Sequence, residues 1–169
     1  MRYSDVRDSI KTGDLVAVKK RSGPFAIATR LVTKSPYTHT GIAVRVGGRL
    51  LLAQANGGGC GLVPLSQEEI YEFDVFDCPV DRTVVEGIIW DMLGTHIPYG
   101  YIDLARIFGL FVLGIPLPKD DGPDMVCSAL SAMMYKKAGW APKGLPSIPW
   151  PGAVVEALNS PAKYEVTYK

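Results

Sequence analysis

Apolar and polar residues alternate in short runs early in the chain and recur at three- and four-residue spacing later, and this change of rhythm outlines the fold. Val6 and Ile10 suggest a short N-terminal helix, and Asp14 to Lys19 (DLVAVK) reads as a strand. Pro24 to Val32 reads as a helix, with proline in its first turn and Ile27 and Leu31 one turn apart. Thr38 to Val46 and Arg49 to Gln54 are two strand runs joined by Gly47-Gly48, the strongest hairpin signal present. Further strands are expected at Tyr71 to Phe76 and Tyr164 to Tyr168. Asp81 to Leu93, Tyr101 to Leu110, Met125 to Ala138 and Pro151 to Asn159 carry helical spacing between matching caps. Strands gather early and helices late, with one strand at the end, which predicts an α+β fold with an antiparallel sheet. No repeat, low-complexity stretch or linker divides it, so residues 1–169 are expected to form a single domain.

The hairpin carries a register. With Gly47-Gly48 as the turn, opposed positions sum to 95, so His39 faces Asn56 and Gly41 faces Gln54. Side chains alternate across a strand, which places His39, Gly41, Ala43, Leu52, Gln54 and Asn56 on one face and Ile42, Val44, Leu51 and Ala53 on the other. The second face reads as core. The first joins an imidazole, two amides and the small residues Gly41 and Ala43, which predicts close approach by another element, such as a helix carrying a nucleophile.

A candidate for that helix begins in the run Gly122 to Leu130. Pro123 and Asp124 read as a helix start with Asp124 as N-cap, which puts Cys127 at the third helical position. Unpaired N–H groups and the positive end of the helix dipole there stabilise a thiolate. Leu130, Met133 and Met134 follow on one face, with Lys136 and Lys137 in the last turn, Gly139 as C-cap and Pro142 beyond. An imidazole beside Cys127 would take the thiol proton, and an amide oxygen on the neighbouring strand would accept the other ring N–H and fix the tautomer. The plainer alternatives are a small buried cysteine packing a helix start and an ordinary edge histidine. His96 is a competing base, in a helix-ending turn with no ordered neighbour. Cys60 is a competing nucleophile in the run Gly57 to Gly61, which reads as a flexible rim beside the hairpin end. No Lys-Ser/Thr follows that run and no helix starts there, so it is not a phosphate loop. Cys78, before Pro79, reads as structural.

Composition narrows the chemistry. A chain of 169 residues, 47% hydrophobic and 21% charged, suits one globular domain with a sizeable core. Eighteen Lys and Arg against 17 Asp and Glu leave a formal charge of +1, and no Lys/Arg cluster with interleaved aromatics points to nucleic acid. Three cysteines without C-x-x-C spacing and two histidines argue against a structural metal, and no cofactor is expected. The odd cysteine count suits reduced thiols. Met1 to Lys11 is polar and lacks the apolar core of a secretory signal, so a cytoplasmic start is expected, with delivery by another route or association with a phage particle as the variant. Leu104 to Pro118 is apolar after Arg106, but it is too short to span a membrane and is broken by Gly109, Gly114, Pro116 and Pro118. It reads as a buried helix and irregular loop, with an apolar wall for an acyl chain as the alternative. No stable membrane insertion is expected, and no clear amphipathic anchor stands out.

Thr38-His39-Thr40-Gly41-Ile42-Ala43-Val44, the return Leu52-Ala53-Gln54-Ala55, and Val126-Cys127-Ser128-Ala129-Leu130 together resemble the circularly permuted NlpC-type papain-like hydrolases, YiiX-like branch, in which the histidine strand precedes the cysteine helix. Thr12 to Val16 resembles the opening strand of that family, Ile97 to Tyr101 its approach to the cysteine, and Ser147 to Trp150 with Asn159 to Pro161 its closing segment. The resemblance implies a permuted papain-like fold, with Cys127 as nucleophile, His39 as base and Gln54 as the residue orienting His39. Hairpin parity alone would select Asn56 for that third place. The branch often has a carboxylate there; a neutral amide orients the ring but stabilises an imidazolium less. Tyr99, at the pre-cysteine tyrosine, would assist an oxyanion hole with the Cys127 N–H. The implied activity is hydrolysis of an amide or ester through an acyl-enzyme. A peptide amide, such as a cell-wall peptide, is the first expectation and an acylated small or lipid substrate the second. A binding or structural module, such as a phage particle component, is the reading from a different class.

Overall fold

The structure, a computed structural model, describes residues 1–19, 24–68, 71–93, 95, 97–103, 105–106, 109, 114 and 125–167. Within them the strands are β1 (Leu15–Lys19), β2 (Tyr37–Val46), β3 (Arg49–Asn56), β4 (Gly59–Pro64), β5 (Glu72–Phe76) and β6 (Tyr164–Val166). The helices are α1 (Tyr3–Val6), α2 (Pro24–Thr33), α3 (Arg82–Leu93), α4 (Cys127–Lys137) and α5 (Pro151–Leu158). The strands form one sheet in the order β4-β3-β2-β1-β5-β6, antiparallel at every pairing. This is an α+β fold with an antiparallel sheet packed against helices.

The β2–β3 hairpin has the register that its turn dictates. Gly47 and Gly48 take φ of +52° and +79°, the left-handed pair of a type I′ turn, and Ile42 lies opposite Ala53. Beyond β3 the chain departs from expectation. Gly57 to Gly61 is a second hairpin turn followed by strand, with Gly59 opposite Asn56 and Cys60 opposite Ala55. A glycine run has no intrinsic strand preference; the hydrogen-bonding edge of β3 supplies the order that the sequence does not announce.

Both faces of the hairpin are buried, and the elements that cover them differ from the expectation that the nucleophile helix lies on the His39 face. Ile42, Val44, Ala53 and Ala55 pack with Leu130, Met134 and Tyr135 of α4 and with Val85 and Ile89 of α3. Ala43 and Leu52, on the His39 face, pack instead with Tyr3, Val6 and Ile10 near the N-terminus, and with Leu65 and Phe73. The body of α4, from Leu130 onward, therefore covers the Ile42 face. Parity decides which side chains share a face; the N-terminal segment, by occupying the other one, decides where α4 can lie. The smallness of Gly41 admits a side chain, since a Cβ there would come within 2.7 Å of Leu52 Cγ and 2.9 Å of the Ala53 carbonyl oxygen.

Residues 101–103, 105–106 and 109 are helical, while most of the apolar stretch Leu104 to Pro118 lies outside the described residues, as does Tyr168. Among the described residues no helix is long and apolar enough to cross a membrane.

Candidate active site

Cys127 opens α4 as its first helical residue, and Val126, extended at φ −79° and ψ 160°, is the N-cap. The expected third position is thus corrected by two residues; Asp124 lies outside the described residues. The cause is long-range. Met125 forms a parallel bridge with Tyr99, its N–H donating to the Pro98 carbonyl at 3.2 Å and its carbonyl accepting the Gly100 N–H at 3.0 Å. A residue held extended in that way cannot be the first residue of a helix. The Val126 carbonyl accepts the first helical bond, from the Leu130 N–H at 2.9 Å. Cys127 therefore stands in the first turn, at the positive end of the helix dipole.

The start of α4 is anchored on both sides. On one, the Cys60 N–H of β4 donates to the Ile97 carbonyl at 3.0 Å, so the edge of the sheet continues through residues 97–100 to Met125. On the other, Ser131 Oγ lies 3.1 Å from the Cys127 carbonyl oxygen and 3.3 Å from Thr40 Oγ1 on β2, the residue next to His39. Ser128 Oγ donates to the Pro149 carbonyl at 2.6 Å. The links run from β2 through β3, β4, residues 97–100, Met125 and α4 back to β2. Cys127 sits in that circuit, buried at 6% exposure. Gly100 makes a tight link, because a Cβ there would lie 2.9 Å from the Met125 carbonyl carbon.

His39 and Gln54 are both buried, and His39 Nε2 is bonded to Gln54 Oε1 across the hairpin. An amide oxygen only accepts, so Nε2 carries the hydrogen and the lone pair of a neutral ring is on Nδ1. A bulge precedes this residue: Val18 opposes His39 whereas Lys19 opposes Tyr37, leaving Thr38 as the extra residue that bends the start of β2. Asn56 is exposed, and its Oδ1 accepts the Gly58 N–H at 3.0 Å, tightening the β3–β4 turn. Tyr99 is half-buried and packs edge-on against Tyr101 at 4.9 Å. His96 lies outside the described residues.

The other thiols have different surroundings. Burial pushes Cys60 up to about 11, and burial likewise raises Cys78, whose Sγ donates to the Val80 carbonyl at 3.2 Å. The sequence reading missed Thr40 and Ser131, although Ser131 follows Cys127 by one helical turn on the same side. It also missed a buried group two strands away, where Asp74 receives the Tyr37 hydroxyl at 2.6 Å and Lys19 Nζ at 2.7 Å. Burial first, and then the Asp74 bond, pushes the Tyr37 phenol well up.

No family model matches the chain, and no curated protein sequence matches it. Its fold is similar to a crystal structure described as metalloprotein yiiX from Escherichia coli O157:H7, with a TM-score of 0.51 at 19% identity over 94% of this chain and 97% of that one. At that identity the likeness is one of fold.

Proposed function

We propose that this protein is a cysteine hydrolase in which Cys127, His39 and Gln54 act together on an amide bond, with a peptide as the first substrate class. The observation that carries the reading is the buried His39–Gln54 bond, on the strand whose next residue, Thr40, meets Ser131 of α4, one turn after Cys127. The order of histidine strand before cysteine helix, within a fold similar to yiiX, supports a permuted papain-like architecture.

Gln54 holds the ring with Nε2 protonated, so Nδ1 takes the Cys127 proton. The thiolate attacks the substrate carbonyl, the C–N bond breaks, and the proton on His39 goes to the leaving amine. Water, deprotonated by the same nitrogen, then cleaves the thioester and returns the thiol. The Cys127 N–H, at the first helical position and the positive end of the helix dipole, is the oxyanion donor in this reading, with Tyr99 as its candidate companion. The metal in the name of the similar structure has no evident place here. Among the described residues no three His, Cys, Asp or Glu side chains come together to hold an ion, and the one imidazole at this site already bonds an amide.

The nucleophile assignment predicts that iodoacetamide modifies Cys127 before Cys60 and Cys78 at mildly acidic pH, against a free-thiol reference near ~8.5. Intact-mass analysis after incubation with peptide and thioester acyl donors should show an acyl adduct that Cys127→Ser lacks. Peptide mapping with Cys60 labelled first at every pH would sink the assignment. For the orienting residue, Gln54→Ala should lower turnover by roughly tenfold or more, since the ring loses its fixed tautomer, and Asn56→Ala should lower it less. Equal turnover of wild type and Gln54→Ala would remove Gln54 from the site. A lipid ester is the second substrate class, favoured by the exposed apolar face of α2.

A further inference from the structure

Ile27 and Leu31 have the spacing of a core face, yet they are 47% and 71% exposed. Beside them on α2 and its C-terminal turn, Arg30 and Lys34 also stand one turn apart. Together with Leu31, Ser35 and Pro36 they line an open concavity of about 580 Å³. Among the described residues neither cation finds a carboxylate partner. The surrounding sequence explains why: between Asp14 and Glu68 lie seven of the 18 Lys and Arg and none of the 17 Asp and Glu. A net charge of +1 conceals this segregation. Within the stretch, Lys19 is neutralised by Asp74 at 2.7 Å, and the Arg45 guanidinium is bound to the backbone carbonyls of Ile10 and Arg7. Of the other described cations, Arg49 lies at the hairpin end of β3, while half-buried Arg30 and exposed Lys34 stand next to two exposed apolar side chains.

We propose that α2 docks the protein on an anionic lipid surface, with Arg30 and Lys34 among the phosphates and Ile27 and Leu31 at the acyl boundary. That pairing of an apolar stripe with flanking cations is what an interfacial helix requires. A nucleic acid would satisfy the cations but leave Leu31 between phosphate and water, and an acidic protein would need a matching apolar socket. An anionic lipid surface meets both demands at once. The helix leads through Ser35 and Pro36 into β2, the strand that carries His39 four residues beyond Ser35. Delivery of an acylated substrate from that surface rests on the hydrolase reading; the docking does not.

The test is co-sedimentation of the full chain, as wild type and as Cys127→Ser, with phosphatidylcholine vesicles that contain or lack phosphatidylglycerol. Both proteins should bind only the phosphatidylglycerol vesicles, and binding should weaken with salt. Arg30→Gln with Lys34→Gln should weaken it about thirtyfold, from two charges near the surface. Ile27→Ser with Leu31→Ser should weaken it at least roughly tenfold at an unchanged melting temperature. Absence of vesicle binding overturns the proposal, as does binding that the apolar pair leaves intact or that a DNA duplex matches. Because Cys127→Ser is measured alongside, failure of the hydrolase reading leaves the docking result interpretable.

Discussion

Helices α2 and α4 both carry apolar side chains at helical spacing, and they use them in opposite ways. On α4, Leu130 and Tyr135 are 1% and 0% exposed, covered by the sheet below and by α3 and α5 around them. On α2, Leu31 is 71% exposed. Periodicity says that a helix has an apolar face, and the rest of the chain determines whether anything covers it. The tyrosine makes the contrast concrete: its hydroxyl reaches across the core to donate to the Gly13 carbonyl at 2.7 Å, a tie for which exposed α2 has no counterpart at Ile27 or Leu31. A direct way to break the comparison is to truncate one leucine on each helix. Leu130→Ala should cost about 2–5 kcal/mol in urea unfolding, through lost transfer energy and an unfilled cavity. Leu31→Ala should stay within about 0.5 kcal/mol of wild type. Similar losses at both positions would mean that α2 is covered after all.

The two helices also differ in how far the sequence specified them. Pro24 marks the start of α2 to the residue, because a proline at the first turn is a local signal. The start of α4 was misplaced, because it is set by pairing between Met125 and residues 98–100, some 25 positions upstream. The β2–β3 register was legible from Gly47-Gly48, since a type I′ turn fixes which residues oppose. The same arithmetic selects Asn56, and there the structure differs: the partner of His39 is the diagonal Gln54, and Asn56 bonds its own turn. Strand β4 was invisible because its first residues are Gly59, Cys60 and Gly61, with nothing to mark them as half-buried strand. Local chemistry was readable; whatever depended on a distant backbone edge was not.

That distant edge provides the next test, smaller in stability and sharper in position. Gly100→Ala places a methyl 2.9 Å from the Met125 carbonyl carbon, and backbone on both sides leaves no flexible atom to yield. The expected cost is about 1–3 kcal/mol, with slower alkylation of Cys127 as the helix start shifts. Gly87, exposed in the interior of α3 with nothing near its missing Cβ, is the control. Gly87→Ala should stabilise by about 0.5–1 kcal/mol and leave Cys127 reactivity unchanged. If Gly100→Ala were as benign as Gly87→Ala, the pairing of residues 98–100 with Met125 would not be what sets the start of α4.

The smallest expected effect separates the covered side of the molecule from the exposed one by pH. Cys60 packs against the core that α4 completes, and burial raises its thiol from 9.0 to about 11. The folded chain then keeps a proton that the unfolded chain releases, so the folded state binds more protons and stability falls as pH rises. The contribution is fully present below the unfolded value and declines from about pH 9 toward about 11. Cys78, Tyr37 and Tyr135, all raised by burial, slope the same way, so the informative quantity is a difference between two proteins. Between about pH 8 and about pH 10.5, Cys60→Ala should lose less Tm than wild type, by roughly a few degrees. Leu31→Ser should follow the wild-type slope, because the Leu31 side chain is exposed. Parallel slopes for wild type and Cys60→Ala would mean that the thiol titrates as if in water and that the β4 edge opens more readily than its pairing with β3 implies.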